Sequence, residues 1–250
     1  MADRRPVTIT GVGLLCPAGI GSDGLGEAAG GSVPGFRART FIADRKSLKL
    51  MTRAVQLGIS AIQMALDDDG EWAAVPPHRR GIYVGASPQS GDPDDLRYAL
   101  EASMGPEGFD MSLFAERGYP LIHPLWLVRG LSNNIIGFAA AIHDLQGVNA
   151  NYCDGPAGGW NALREGVLAV AEGRADLVVA GGADAWSHAD DALPDMACGD
   201  GAGFVVLRPG TPDVCSMMHP AAPMGAEGEV GFLGAATGPV DVCRRWVRER

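Results

Sequence analysis

His123-Pro124-Leu125-Trp126, Ser132-Asn133-Asn134-Ile135-Ile136-Gly137, Leu145-Gln146-Gly147 and the run Asn149-Ala150-Asn151-Tyr152-Cys153-Asp154-Gly155-Pro156-Ala157-Gly158-Gly159 decide the fold. They are followed by Gly173-Arg174-Ala175-Asp176 and by Ala180-Gly181-Gly182-Ala183-Asp184-Ala185. Leu131 to His143 is apolar almost all round, which predicts a helix buried on most of its sides. Gly147 to Cys153 reads as extended. Ala157 to Glu172 reads as a helix stopped by Gly173. Asp176 to Ala180 is an apolar strand running into two glycines. Pro156 falls at the first turn of the second helix, where a missing N–H removes no intrahelical bond.

Outward from that stretch the same alternation continues. Val7 to Leu15 is a short buried strand, and Gly19 to Gly35 a loop rich in glycine, serine and proline. Met51 to Leu66 carries apolar residues at spacings of three and four, the mark of an amphipathic helix, with Gly70 as its stop. Gly81 to Ala86 and Gly201 to Leu207 read as strands, and Pro93 to Met104 as helical. Strands alternating with helices point to an α/β layered fold with a mainly parallel sheet. After Arg208 the pattern weakens. Pro209 to Pro223 is rich in proline and methionine, Val230 to Ala236 is compatible with a strand, and Val240 to Arg250 with a basic helix. The expected organisation is a domain over 1–208 and a short segment over 209–250, packed on the domain or on a partner.

The 250 residues hold 46% hydrophobic and 20% charged side chains, as in a globular protein with a substantial core. No apolar run approaches the ~20 residues that span a bilayer, and Val7 to Ala18 is too broken by glycine and proline for a signal sequence. A cytoplasmic location and no membrane contact are therefore expected. The formal charge of −10 argues against nucleic acid, which needs a basic footprint. It also argues against direct docking of another strongly acidic partner. Cys16, Cys153, Cys198, Cys215 and Cys243 show no CxxC spacing, and the five histidines no metal-binding spacing. No cofactor is implied. Thr10-Gly11-Val12-Gly13-Leu14-Leu15 starts like a dinucleotide loop, but Cys16 stands where its third glycine belongs.

The stretch from 123 to 185 resembles the β-ketoacyl synthase family, of thiolase fold. That family shows a proline–aromatic segment, an asparagine–glycine helix, Leu-x-Gly-Pro, a strand ending Thr-Ala-Cys-Ser-Ser-Gly with a long helix, and Gly-x-Ala-Asp before Ala-Gly-Gly-x-Glu-Ala. The spacing matches without gaps from Pro124 to Gly159, and the likeness extends over roughly residues 6 to 207. It implies a thiolase-like layered fold whose N-terminal half is essentially complete and whose C-terminal half is largely missing. Counted through the ungapped run, Pro156 takes the position of the family's nucleophilic cysteine. The family's two histidine motifs, His-Gly-Thr-Gly-Thr and Asn-x-x-x-Gly-His, do not occur. A ketosynthase needs a thiolate to take the acyl group from its carrier, so the resemblance implies a subunit with no catalytic residue of its own.

The family contains such companions, the chain-length factors of type II polyketide synthases. They pair with an active ketosynthase and close its acyl tunnel. By that resemblance Trp126, Leu127 and Phe138, with Leu96, Leu100 and Met104, are expected at the tunnel end. Asn133, Asn134, Asn149, Asn151, Tyr152 and Cys153 are expected at the subunit interface. The implied partners are a full-length ketosynthase in a heterodimer and an acyl carrier protein bound mainly through that ketosynthase. Two alternatives stay open: a non-catalytic homodimeric scaffold or regulator, and an acyltransferase using Cys153. An inert, buried cysteine is the commoner state of such a residue.

Overall fold

The computed structural model describes residues 4–88, 94–187, 196–214 and 232–250. β1 (Val7–Cys16) turns back through β2 (Gly19–Ile20), and α1 (Arg53–Asp69) leads to β3 (Arg80–Gly85). An excursion follows: α2 (Asp94–Glu101), the hairpin of β4 (Met104–Gly105) and β5 (Gly108–Phe109), and the short helices α3 (Met111–Leu113) and α4 (Trp126–Arg129). The chain re-enters the body through α5 (Asn134–His143), β6 (Asn149–Tyr152), α6 (Pro156–Ala171), β7 (Leu177–Ala185) and β8 (Asp200–Pro209). It reaches α7 (Thr237–Glu249) at its end.

The main sheet has the order β2-β1-β8-β7-β3-β6. Its side chains alternate between two cores, as the two-residue period of a strand requires. In β7, Leu177 and Val179 meet α1 and α5 on one face, while Val178 and Ala180 meet α6 and α7 on the other. The result is a three-layer sandwich, and burying each such large side chain contributes roughly 1.5–3 kcal/mol. α1 presents Leu57, Ala61, Ile62 and Ala65 to the sheet. It stops at Gly70, whose φ of 72° suits a residue without Cβ.

Four expectations need correction. The sheet is mixed: β3 pairs in parallel with β6 and β7, whereas β7–β8, β8–β1 and β1–β2 are antiparallel. β8 returns alongside β7 instead of crossing over it, and an apolar run does not carry its own direction. The helix expected over 93–104 ends at Glu101, and Met104 begins the β4–β5 hairpin. The apolar helix begins at Asn134 and not at Leu131, because the Asn134 side-chain amide donates to the carbonyls of Val128 and Arg129 and folds that segment into a turn. That helix is also not buried on most sides. Ile135, Ala139 and His143 form one buried stripe, and Gly137, Ala141 and Ile142 face outward.

In the C-terminal stretch, Phe232 makes a single bridge to Cys198, and Gly234–Ala236 is a 3-10 turn. Residues 215–231, including part of the segments read as loop and strand, lie outside the described residues. α7 is amphipathic, and it buries Val240, Val242 and Cys243 in the same core as α6. Buried Arg244 donates to the carbonyls of Gly24, Leu25 and Gly26, tying this helix to the turn after β2.

At the foot of α5, His143 is 4% exposed, with its ring edge-on to Trp72 at 5.9 Å. Burial pushes its pKa down to about 4, so the imidazole stays neutral near pH 7. The Arg80 guanidinium lies over the Trp72 ring and donates to the carbonyls of Ala73, Val75 and His143. The end of α5 is thereby fastened to the start of β3.

Candidate functional site

The carboxyl ends of β3, β6 and β7 converge with the N-terminus of α6, the place where open α/β sheets hold their ligands. Gly155 stands between β6 and α6 with φ 59° and ψ −136°, a conformation that favours glycine and turns the chain sharply into the helix. Pro156 opens the helix. The strand–elbow–helix is intact, and its first helical residue bears no nucleophile.

Beneath the elbow, β3 and α6 approach backbone to backbone. A Cβ on Gly85 would overlap the main chain of Gly158 and Gly159. At the same end of the sheet, Asp184 is buried. Its carboxylate accepts from the Ser87 N–H (3.2 Å), the Ser87 hydroxyl (2.8 Å) and the Ala235 N–H (2.7 Å). Burial pushes its pKa up to about 6, against the pull of those donors. Asp200, also buried, accepts from the Arg53 guanidinium (3.0 Å) and the Ser187 N–H (3.0 Å). These two carboxylates cross-link the loops around the elbow. The sequence held Asp184 only as part of a motif and gave no sign of the Asp200–Arg53 pair.

Cys153 is half-buried on the α5 side of the strand. Its Sγ lies 3.0 Å from the Asn151 amide nitrogen, which also reaches the Ser132 hydroxyl at 3.3 Å. Tyr152 points the other way, toward α6; burial first, then the nearby Glu165 and Tyr83, raise its pKa. Among the described residues no group of His, Cys, Asp and Glu could hold a metal ion, and no helix is long and apolar enough to cross a membrane.

Among the described residues β6 is one of the two edges of the sheet, the other being β2. Val148 and Tyr152 accept from the N–H groups of Ile82 and Ala86. In a parallel ladder each strand residue turns both its backbone groups to one side, so Asn149 and Asn151 turn theirs outward. The exposed face of α5 lies next to this edge. Apolar exposure is concentrated in one stretch of the chain. Of the large hydrophobic side chains exposed among the described residues, all but Leu50 lie between Tyr98 and Ile142.

Trp126 and Leu127 line a cleft of about 290 Å³ with Pro88, Gly130, Leu131 and Ser132. Leu127 is 68% exposed. Ser132 connects this cleft to Asn151 on the edge strand. α2 is held beside it by Arg129 and Asp95, 3.4 Å apart, which brings the Leu96–Met104 segment near. Leu96 is half-buried, and Leu100 and Met104 are exposed. Phe138 stands elsewhere, in a cleft of about 390 Å³ with Phe41, Ile42, Ala141 and Ile142. Of the six residues expected at a tunnel end, the structure groups Trp126 and Leu127 and places Phe138 apart.

Residues 25–193 match the model of the family described as the N-terminal domain of β-ketoacyl synthases. A Streptomyces virginiae protein named as a polyketide β-ketoacyl synthase is 26% identical over 209 residues, 73% of this chain and 47% of its own length. The chain thus spans about half of that relative. Similar solved structures include these two. One is a type II polyketide synthase acyl carrier protein in complex with its ketosynthase bound to a hexaketide. Its TM-score is 0.66 at 18% identity, over 82% of this chain and 63% of that one. The other is the ishigamide ketosynthase/chain length factor, with a TM-score of 0.62 at 23% identity, over 82% and 58%.

Proposed function

The chain belongs to the β-ketoacyl synthase family through its N-terminal domain, and from that membership we propose that it is a non-catalytic, chain-length-factor-like subunit. In this reading it pairs with an active ketosynthase and shapes the acyl tunnel during polyketide or fatty acyl elongation. The observation that carries it is Pro156 at the head of α6. Acyl transfer by a ketosynthase requires a thiolate where the elbow meets the helix, and proline keeps the helix start without supplying one. The unpaired backbone of Asn149 and Asn151 supports pairing with a second chain, since an exposed strand edge is a site of association. The apolar outer face of α5 and the exposed residues from Tyr98 to Leu131 support it too, since patches of this kind mark interaction surfaces.

Trp126 is the side chain of the Leu127 cleft with the most bulk to close a tunnel. In the complex with its ketosynthase, Trp126→Ala is expected to shift the product distribution to longer chains, because removing steric bulk opens the volume that limits elongation. Mass spectrometry of the products checks this. An unchanged distribution, with the complex intact, rejects Trp126 as the gate.

A further inference from the structure

We infer that Asp184 is a positioning residue for the Trp126 cleft: through Ser87 it fixes Pro88, and with Pro88 the width of the cleft and the length of acyl chain the complex makes. The chain-length part rests on the tunnel reading proposed above. Trp126, Leu127, Gly130, Leu131 and Ser132 line the cleft from one segment of the chain, and Pro88 alone comes from elsewhere to supply the other wall. Pro88 is exposed, and proline has no N–H by which the backbone could hold it. Its place is set one residue earlier. Ser87 is buried and gives both of its donors, the N–H at 3.2 Å and the hydroxyl at 2.8 Å, to the Asp184 carboxylate.

Asp184 itself is 2% exposed near the end of β7. The Ala235 N–H donates to it at 2.7 Å, and a Cβ on Gly234 would overlap both its carboxylate and the Trp186 indole, so the 3-10 turn packs directly on it. Its environment differs from that of Asp69 and Asp200, whose side chains are 1% exposed and each hold an arginine. The groups that face Asp184, namely Ser87, Trp186 and the Ala235 N–H, carry no charge. A carboxylate accepts from all three donors only while ionised. A proton on it turns one acceptor site into a donor, and one of the three bonds is lost. Burial brings that proton on at about pH 6. The Pro88 wall is therefore firm above about pH 7 and loosened below about pH 5. Asparagine at this position, with a fixed NH₂ in place of one oxygen, reproduces the loosened state at every pH.

The test compares the wild-type chain with Asp184→Asn, and with Asp69→Asn as the control. Asp69 is held by Thr10 and Arg208 at the opposite end of the sheet, away from the cleft. Hydrogen–deuterium exchange of the free chain over residues 84–88 reports the Ser87 N–H. Mass spectrometry of the products, made in the complex with the ketosynthase, reports chain length from about pH 5 to about pH 8. Above about pH 7, Asp184→Asn is expected to exchange the Ser87 amide at least about tenfold faster than the wild type and to shift the products toward longer chains. Below about pH 5 the two distributions converge. Asp69→Asn gives the wild-type distribution at every pH, whatever it costs in stability. Unchanged Ser87 exchange overturns the positioning role, and an equal product shift in Asp69→Asn overturns the link to the cleft. Faster exchange with unchanged products overturns the chain-length role where Trp126→Ala still lengthens them, and overturns the tunnel reading with it where Trp126→Ala does not. If no ketosynthase pairs, the pairing proposal and the chain-length role fall together, and exchange in the free chain still decides the Ser87 anchor.

Discussion

Gly85→Ala is expected to remove about 4 kcal/mol of folding stability, a large part of what a domain of this size has. The added methyl would sit within the main chain of Gly158 and Gly159, at the point where the end of β3 touches the first turns of α6. Backbone at that contact has nowhere to go. α6 is pinned from the far side too, because a Cβ on Gly159 would itself overlap the Ala235 carbonyl and the Pro239 ring. Over-packing by one methylene costs ~1–3 kcal/mol where side chains can adjust, and losses above ~4 kcal/mol mark places where they cannot. Urea unfolding measures the difference directly. Gly137→Ala is the control: its Cβ would meet nothing within 4 Å on the outer face of α5, and alanine is the better helix former by ~1 kcal/mol. An unfolding midpoint for Gly85→Ala equal to that of the wild type would contradict the close approach of β3 and α6.

Asn149→Pro is expected to weaken pairing with the ketosynthase at least about 100-fold while leaving the free chain folded. Asn149 is exposed, and its N–H faces away from β3, so the sheet of the free chain loses no bond when proline replaces it. Proline on a strand edge removes a donor from any added strand and its ring obstructs the neighbour, and a 100-fold loss corresponds to about 2.7 kcal/mol. Ala150→Pro gives the contrast, because the Ala150 backbone faces β3 and its substitution should damage the fold itself. Light scattering with thermal melts separates the two effects. Full complex formation by a folded Asn149→Pro chain would mean that β6 is not the pairing edge.

Much of the fold was legible because the period of the apolar residues states the type of element. The strand at Val7, the helix ending at Gly70 and the helix headed by Pro156 all lie within a few residues of their expected bounds. Strand direction was not legible. Gly201 to Leu207 is apolar whichever way it runs, and only the return path from β7 makes β8 antiparallel. The α5 helix was misread for a related reason. Apolar residues on every side hide which of them form the buried stripe, and only the packing of Ile135, Ala139 and His143 shows it. The buried pair of Arg53 and Asp200 is 147 positions apart in the chain, beyond any local pattern.

The central claim, that this chain is built to pair with an active ketosynthase, is tested most directly by the native mass of the tagged chain co-expressed with an active ketosynthase from the same organism. A one-to-one complex is predicted, in which the partner covers the α5 face and the β6 edge. A stable homodimer that leaves the ketosynthase free would contradict the claim.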